Sequence, residues 1–215
     1  MTALPRDKDW DAFWALQKTG GTISWSKRRI LQVVALFLKE GGRFLDAGCG
    51  SGFFSKAFLD CGQQVTALDY SDEALKMARE LTAGRVACLK EDLLSPGLDA
   101  RVSGRFDCIF SDGLLEHFKP EDQGRILKNL ASLLTPDGYI ITFVPNRFSP
   151  WEIIRPFLMP GITEEPFVLS GLVRLHERNS LSCHARGGIN TLPFQCSPEF
   201  AAPLFGMLLY VVAKK

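Results

Sequence analysis

Short apolar runs and longer amphipathic segments alternate between residues 43 and 144, and this alternation is the strongest constraint on the fold. The apolar runs predict buried strands at 43–47, 64–68, 85–90, 106–110 and 139–144. Segments between them predict helices at 51–61, 71–83 and 120–134. Strands separated by helices of this length form a parallel, doubly wound sheet. The ligand of such a sheet binds at the carboxyl ends of its strands.

The first strand runs into a glycine-rich loop, Asp46-Ala47-Gly48-Cys49-Gly50-Ser51-Gly52, followed by Phe53. Glycines at alternate positions let the backbone turn tightly and approach a ligand, and the N–H groups of the next helix suit a carboxylate. The dinucleotide fingerprint G-x-G-x-x-G is absent, because position 53 is Phe. Asp46 would repel a pyrophosphate but attract an ammonium group.

Acids also follow the second and third strands. Asp69, before Tyr70 and Ser71, is placed to accept hydrogen bonds from two ribose hydroxyls; the alternative is that it caps the next helix, a role that Ser71 already offers. After the third strand come Glu91, Asp92 and Leu93, where Asp92 suits an adenine amino group or is simply a solvated loop acid.

The fourth strand ends in Phe106-Asp107-Cys108-Ile109-Phe110-Ser111-Asp112-Gly113-Leu114-Leu115-Glu116-His117-Phe118. Taken with D-x-G-x-G-x-G, the acid 17 residues past Gly52, E-D-L and L-T-P-D-G-Y, this segment resembles the class I S-adenosylmethionine-dependent methyltransferases. The L-E-H segment and residues 135–145 resemble the subgroup that methylates small molecules.

That resemblance implies an α/β/α sandwich with a Rossmann-like, doubly wound sheet of seven strands, mostly parallel with one antiparallel strand. It implies S-adenosyl-L-methionine as cofactor, S-adenosyl-L-homocysteine as product and no metal. By position, Asp46 and Gly48 lie near the methionine part, Asp69 on the ribose, and Asp92 and Leu93 at the adenine, with the Ser111 backbone by the methionine. The full set of expected cofactor contacts is Asp46, Ala47, Gly48, Cys49, Gly50, Gly52, Phe53, Asp69, Tyr70, Ser71, Glu91, Asp92, Leu93, Ser111, Asp112 and Gly113.

The remaining chain divides around this core. The length of 215 residues favours one domain. Apolar spacing predicts helices at 10–18 and 26–39, Thr135-Pro136-Asp137-Gly138 predicts a turn, and late strands are expected at 185–192 and 207–213. We expect a helical lid (1–42), a cofactor-binding core (43–145), an insertion over the substrate side (146–183), which shows prolines and no clear strand, and C-terminal strands (184–215).

Methyl transfer from a sulfonium is an in-line displacement, so alignment and exclusion of water matter most. His117 is the expected catalytic base where the acceptor is a hydroxyl, or else it only stabilises its loop. His176 and His184 are further candidates to face the substrate. Aromatic residues outside the core pack or line an apolar pocket; they are Trp10, Trp14, Trp25, Phe148, Trp151, Phe157 and Phe167.

Charge and cysteines limit the partners and the compartment. The formal net charge of +1 disfavours a dedicated nucleic-acid binder, and no N/D-P-P-Y motif for DNA adenine methylation follows the fourth strand. Six scattered cysteines without a C-x-x-C pair argue against a zinc site and suit a reducing compartment. With no apolar run of transmembrane length, we expect a cytoplasmic protein, monomer or homodimer, acting on a small molecule.

Three alternatives stay open at this stage. The acceptor is a protein or an RNA; the chain binds the cofactor without turnover; or the sheet serves a nicotinamide-dependent oxidoreductase, against which Phe53 argues. Among methyl acceptors, oxygen is the expected atom.

Overall fold

A computed structural model describes residue 11 and residues 25–153, 164–192 and 199–215. The described strands are β1 (Arg43–Ala47), β2 (Gln64–Asp69), β3 (Ala87–Lys90), β4 (Phe106–Asp112), β5 (Leu134–Pro145), β6 (Ser182–Ile189) and β7 (Leu208–Lys214). The described helices are α1 (Trp25–Ala35), α2 (Phe53–Asp60), α3 (Asp72–Leu81), α4 (Leu98–Arg101), α5 (Pro120–Ser132), α6 (Leu169–Arg178) and α7 (Ala202–Phe205). Short 3-10 turns lie at Leu115–His117 and Glu199–Ala201.

The seven strands form one sheet in the order β3-β2-β1-β4-β5-β7-β6. Strands β1 to β5 pair in parallel, whereas β7 runs antiparallel to both β5 and β6. The expected seven-stranded, doubly wound sheet with one antiparallel strand is therefore confirmed.

Helices cover both faces of the sheet. On one face, Ile30 of α1, Phe54 of α2 and Ala78 of α3 pack in a core with alternate side chains of the strands. On the other face, Leu98 of α4 and residues of α5 and α6 form a second core. Phenylalanine rings fill the first core closely, with the Phe44 and Phe58 ring centroids 4.2 Å apart. The three-layer arrangement follows from strands that are apolar on both faces.

One expectation about local structure was wrong. The turn expected at 135–138 lies inside β5, where pairing steps from Phe106–Leu134 to Cys108–Tyr139 and the extra residues bulge from the ladder. The stretch 146–183 also contains a full helix, α6, whose Leu172 and Val173 are buried in the second core. This part of the expected insertion therefore packs against the sheet, and its substrate-side role stays a prediction.

The N-terminal expectations are only partly within the described residues. Helix α1 ends at Ala35, earlier than the expected 39. The expected helix at 10–18 lies outside the described residues except for Asp11, which is helical. Trp10, Trp14 and Phe157 lie outside them as well. No helix in the described ranges has the length and apolarity that crossing a bilayer requires.

His176 does not face a substrate, because its side chain is fully buried between α6 and the sheet. Its Nδ1 lies 2.9 Å from the Leu172 carbonyl, which can only accept, so Nδ1 carries the proton. Nε2 then accepts from the Thr142 hydroxyl at 3.2 Å. Burial lowers the pKa of His176 to about 4.

This buried imidazole predicts a loss of stability in mild acid. The folded-state pKa lies below the unfolded value of about 6.5, so the stabilisation is present above pH 6.5 and is lost as the pH falls toward 4. In urea denaturation, wild type should lose about 2–3 kcal/mol more than His176→Gln between pH 7 and pH 4.5. The exposed His184→Gln should behave as wild type, and equal slopes for wild type and His176→Gln would contradict the prediction.

Candidate active site

The glycine loop follows the end of β1 and is hydrogen bonded to the neighbouring strand β2. The N–H groups of Gly48 and Cys49 both donate to the Leu68 carbonyl of β2, at 2.8 and 3.1 Å. Gly48, Gly50 and Gly52 have φ values of 73°, 50° and 77°, a region that side chains disfavour. The tight turn expected from alternate glycines is confirmed.

Gly52 also brings two helices into contact. A Cβ at this position would lie 2.5 Å from Cα of Ala78 in α3, so only glycine lets the start of α2 approach α3 this closely. Gly52 is the N-cap of α2 and provides no side-chain cap. The Ser55 N–H of the first turn donates to the Asp46 carboxylate, and the start of a helix favours a carboxylate.

Asp69 braces the loop from β2. Its Oδ2 accepts from the Gly50 N–H and its Oδ1 from the Ser71 N–H, both at 2.9 Å. Burial raises the pKa of Asp69, and these hydrogen bonds oppose that shift. Ser71 caps α3 by accepting from the Ala74 N–H at 3.1 Å, as expected, so Asp69 is not the helix cap. Tyr70 between them is mostly exposed.

Two further carboxyl groups meet where β1 and β4 end. Asp46 is 2% exposed and accepts from the Ser55 hydroxyl at 2.6 Å. Burial raises the pKa of Asp46 to about 7. Burial, with repulsion from Asp46, also raises the pKa of Asp112 to about 7, while the charge of Lys27 opposes the shift. Two carboxyl groups this close to each other favour a cationic ligand.

Lys27 brings helix α1 to the same place. Its Nζ lies 4.1 Å from the centroid of the Phe53 ring, a cation–π geometry. Burial lowers the pKa of Lys27, and Asp112 opposes that shift. Lys27 is distant from the loop in the sequence, and only the folded chain brings α1 beside it.

The expected adenine contacts lie at the end of β3. Asp92 Oδ1 accepts from the Leu94 N–H at 2.8 Å, which shapes this loop. The Glu91 carboxylate pairs with Arg101 Nε at 2.9 Å and so is engaged away from Asp92. Leu93 is buried, and its carbonyl accepts from Asn129 Nδ2 at 2.7 Å. Adenine binding by these residues stays a prediction.

The turn after β4 packs directly on the glycine loop. Ser111 is buried, and the Gly113 N–H donates to the Phe143 carbonyl at 3.2 Å. A Cβ at Gly48 would lie 2.9 Å from Leu114 Cδ1, which shows how closely the two loops approach. His117 ends the 3-10 turn and is half-buried. The elements holding Asp46, Asp112 and His117 therefore meet at one edge of the sheet.

A glutamate from a distant part of the chain joins this turn. One side-chain ligand atom each of Glu116, His117 and Glu164 lies within 4.8 Å of the others. The Glu165 N–H donates to the Glu116 carbonyl at 3.0 Å. These residue types are able to ligate a metal, and the expectation of a metal-free site stays a prediction. Glu164 was missed because its surrounding sequence matches no motif.

His184 lies away from this edge. It is exposed near the start of β6, and its ring lies 5.3 Å from Tyr139 in the first half of β5. The parallel strands end on the opposite side, so His184 does not face the site.

At the other side of the glycine loop, Asp11 reaches the start of α3. Its Oδ1 accepts from the Ser71 hydroxyl and, at 3.2 Å, from the Glu73 N–H. These bonds lower the pKa of Asp11. The contact places one residue of the N-terminal region beside Asp69.

The sheet order, the glycine loop and the acids at successive strand ends define a class I methyltransferase fold. The family described as "Methyltransferase domain" matches residues 44–138. This match covers less than half of the chain, and the sheet order is that of the class I S-adenosylmethionine-dependent methyltransferase fold.

Curated relatives match about half of the chain. A protein named ubiquinone biosynthesis O-methyltransferase from Xanthomonas axonopodis pv. citri (strain 306) is 35% identical over 126 residues, which cover 55% of this chain and 49% of that protein. A protein of the same name from Caulobacter sp. (strain K31) is 35% identical over 114 residues, 50% of this chain and 42% of that protein. The chain spans about half the length of these relatives.

Solved structures share the fold over most of the chain. Magnesium protoporphyrin IX methyltransferase from Synechocystis PCC 6803 superposes with a TM-score of 0.65 at 18% identity, covering 91% of this chain and 90% of that one. The 1,6-didemethyltoxoflavin-N1-methyltransferase of Burkholderia thailandensis gives a TM-score of 0.62 at 22% identity, covering 89% and 79%. At these identities the likeness establishes the fold.

The close approach at Gly52 predicts a large penalty for Gly52→Ala. The substitution combines a disfavoured positive φ with overlap on Ala78, and we expect a loss of about 2–4 kcal/mol of unfolding free energy. Gly62→Ala is the matched control, because φ is +83° there and nothing lies within 4 Å of the added Cβ. It should cost about 1 kcal/mol. Chemical denaturation measures both, and similar losses would show that the contact with Ala78 is unimportant.

Proposed function

We propose that this chain is an S-adenosylmethionine-dependent methyltransferase that transfers a methyl group to an oxygen atom of a small molecule. The observation that carries the proposal is the pair of neighbouring carboxyl groups, buried Asp46 and half-buried Asp112, beside the glycine loop and the start of α2. Such a site suits a ligand that has a cationic sulfonium, an ammonium group and a carboxylate.

Each part of the cofactor has a matching group in the proposed complex. The first turn of α2 binds the methionine carboxylate, and Asp46 and Asp112 attract the positive charges. Asp69 accepts from the ribose hydroxyls, and Asp92 with Leu93 holds the adenine. Glu91 contributes through its backbone, because its carboxylate is paired with Arg101.

When bound, S-adenosylmethionine supplies a methyl group on a sulfonium, and S-adenosylhomocysteine is the product. The chain's own contribution is to align the acceptor oxygen with the methyl group and to keep water from the crevice. His117 accepts the proton of the acceptor hydroxyl, since a neutral imidazole is available near neutral pH.

A small-molecule acceptor and oxygen as the acceptor atom are supported by the sequence relatives, whose names refer to O-methylation in ubiquinone biosynthesis. The neighbour from Burkholderia thailandensis is named as an N1-methyltransferase, so nitrogen is the second acceptor atom to test. Incubation of labelled cofactor with a metabolite extract, protein or RNA separates the alternatives. Label in protein or RNA would identify such an acceptor, and cofactor binding with no label in any of the three would indicate binding without turnover.

We also propose a cytoplasmic monomer or homodimer that does not act on DNA. The near-neutral charge balance supports the last point. The five cysteines among the described residues are all free thiols, which fits a reducing compartment.

The proposed ribose contact predicts weaker cofactor binding by Asp69→Ala. Hydrogen bonds to a charged acceptor contribute about 1.5–3 kcal/mol, so the dissociation constant for S-adenosylmethionine should rise about 10–100-fold. Calorimetry measures this change, with the exposed Asp99→Ala as control. If wild type binds no S-adenosylmethionine, the proposed function is wrong. If Asp69→Ala binds the cofactor as tightly as wild type, only the assignment of Asp69 to the ribose is wrong.

Asp46 and Asp112 predict that cofactor affinity depends on pH. Both have pKa values of about 7 without ligand, and a cation binds better to their ionised forms, so binding in mild acid must release protons. Affinity should increase from pH 5.5 to pH 7.5, by up to about tenfold per pH unit for each carboxyl group that loses its proton. Asp112→Asn should reduce this slope in calorimetry and Asp99→Asn should not; a flat wild-type profile would exclude the linkage.

A further inference from the structure

We propose that the end of the sheet where β5, β6 and β7 meet is a docking surface for an anionic lipid membrane. In this assignment exposed apolar side chains enter the lipid headgroup layer, and cationic side chains beside them face the lipid phosphates. The contact is peripheral and reversible, which agrees with the proposed cytoplasmic location. It goes beyond the proposed methyl transfer and does not depend on it.

Large exposed hydrophobic side chains are concentrated at this end of the molecule. Eight such side chains are exposed among the described residues, and six of them follow the ends of β5 and β6 or precede β7. These six, which we call the apolar patch, are Phe148, Ile153, Leu192, Phe200, Leu204 and Phe205. Single exposed hydrophobic residues are common on protein surfaces, whereas a concentration of them marks an interaction site.

The strand ends that carry the apolar patch meet at one place. Leu208 at the start of β7 pairs with Pro145 at the end of β5 and with Ile189 at the end of β6. In β5, Phe143 lies two residues before Pro145 and pairs with Asp112 at the end of β4. The apolar patch therefore lies at the carboxyl edge of the sheet, on the same edge as the candidate active site.

One buried side chain holds the central part of the patch in place. Asn146 is 1% exposed, and its Nδ2 donates to the Leu204 and Gly206 carbonyls at 3.0 and 2.9 Å. Its Oδ1 accepts from the Phe148 N–H at 3.2 Å. The backbone segments that carry Phe148, Leu204 and Phe205 are thus fixed around one amide group, while these three side chains stay 51–60% exposed.

Glycines let helix α7 lie directly on the end of β6. A Cβ at Gly188 would overlap the Ala202 carbonyl, and a Cβ at Gly206 would lie 2.6 Å from the Ile189 carbonyl oxygen. Ala202 is fully buried by this packing, whereas Phe200, just before α7, is 90% exposed. The exposed apolar residues therefore belong to an ordered segment that presents them at the surface.

Cationic side chains flank the apolar patch. Helix α1 contains Lys27, Arg28 and Arg29 in succession and no acidic residue. Its first turns reach this end of the sheet, since Arg29 Nη2 lies 3.6 Å from Glu199 Oε1. Arg147, which follows β5, is exposed as well. Apolar side chains bordered by lysine and arginine are typical of surfaces that bind the headgroup region of anionic membranes.

Most acidic groups near the patch are withdrawn from the surface. Glu199 is half-buried, pairs with Arg29 and accepts from the Asn190 N–H at 3.2 Å. Glu152 is half-buried too. Glu165 is exposed, but its N–H donates to the Glu116 carbonyl, which places it beside the turn after β4. The charge at the patch itself therefore favours an anionic partner.

The form of the patch favours a lipid surface over a protein partner. Its six residues come from three short segments of the chain, and the exposed fraction reaches 75% for Ile153 and 90% for Phe200. Side chains that project separately can each enter a fluid headgroup layer. A protein partner instead needs a closely packed, complementary face.

The test is cosedimentation of the full chain with lipid vesicles in the absence of cofactor. Wild type should bind vesicles of equal parts phosphatidylcholine and phosphatidylglycerol more tightly than vesicles of phosphatidylcholine alone, and added salt should weaken this binding. Binding to neither kind of vesicle, or equal binding to both, overturns the proposal. Because no cofactor is present, that result leaves the proposed methyl transfer intact.

Phe200→Ser tests the apolar part of the contact. It should lower the vesicle partition coefficient about tenfold, because one large side chain no longer enters the lipid. The matched control is Leu36→Ser, since Leu36 is 79% exposed and precedes Phe37, which packs on Tyr139 and His184 away from the site. Unchanged binding by Phe200→Ser, or an equal loss in Leu36→Ser, overturns the proposal.

Arg147→Gln tests the charge part of the contact. One cation near an anionic membrane contributes about a fivefold gain in binding, so the variant should lose about that factor on vesicles with phosphatidylglycerol and nothing on phosphatidylcholine alone. Arg105→Gln is the control, because Arg105 is exposed just before β4, at the opposite edge of the sheet. The same loss in both variants would contradict docking through this end.

Sedimentation velocity without lipid tests whether a second copy of the chain occupies the patch. A monomer is expected, or a dimer that Phe200→Ser and Leu204→Ser leave intact. A wild-type dimer that both variants dissociate would mean that the patch is an interface between two copies, which overturns the proposal.

Discussion

Strands β1 and β4 lie side by side, but the chain leaves them toward opposite faces of the sheet. After β1 it enters α2, which packs in the core with Phe44 and Phe110. After β4 it passes through the turn at Leu115–His117 into α5, whose Ile126 and Leu127 lie in the other core. The divergence opens a crevice at the carboxyl edge of the sheet. Asp46, Asp112 and His117 lie at this edge.

The crevice is polar at its base although both flanking cores are apolar. Asp46 is held by Ser55 of α2, and Asp69 is held by two backbone amides. Burying several carboxyl groups so close together costs free energy unless a cation is supplied or protons are retained. The unliganded protein meets this cost partly with Lys27 and partly by raising the pKa values of Asp46 and Asp112.

The sequence predicted what is encoded locally. Strand β1 matches its expected bounds, and Ser71 caps α3, because each signal depends on residues close in the chain. The expected turn at 135–138 lies within β5, because Leu134 already pairs with Phe106 of β4 and the strand continues through these residues. Lys27 and Glu164 reach the site through tertiary contacts alone, and no spacing rule connects them with Phe53 or His117. His176 was a candidate to face the substrate, because the surrounding sequence does not show that α6 buries its side chain in the core.

The position of β7 has a consequence for how the molecule is assembled. It follows β6 in the chain, yet it lies between β5 and β6 and is the strand through which β6 joins the sheet. During synthesis the ribosome releases β6 before its partner exists, so β6 must wait with an unpaired edge until residues 208–214 emerge. A nascent chain stalled just before that point would present this edge to chaperones or to other chains, whereas the cofactor crevice, built from earlier strands, could already have formed.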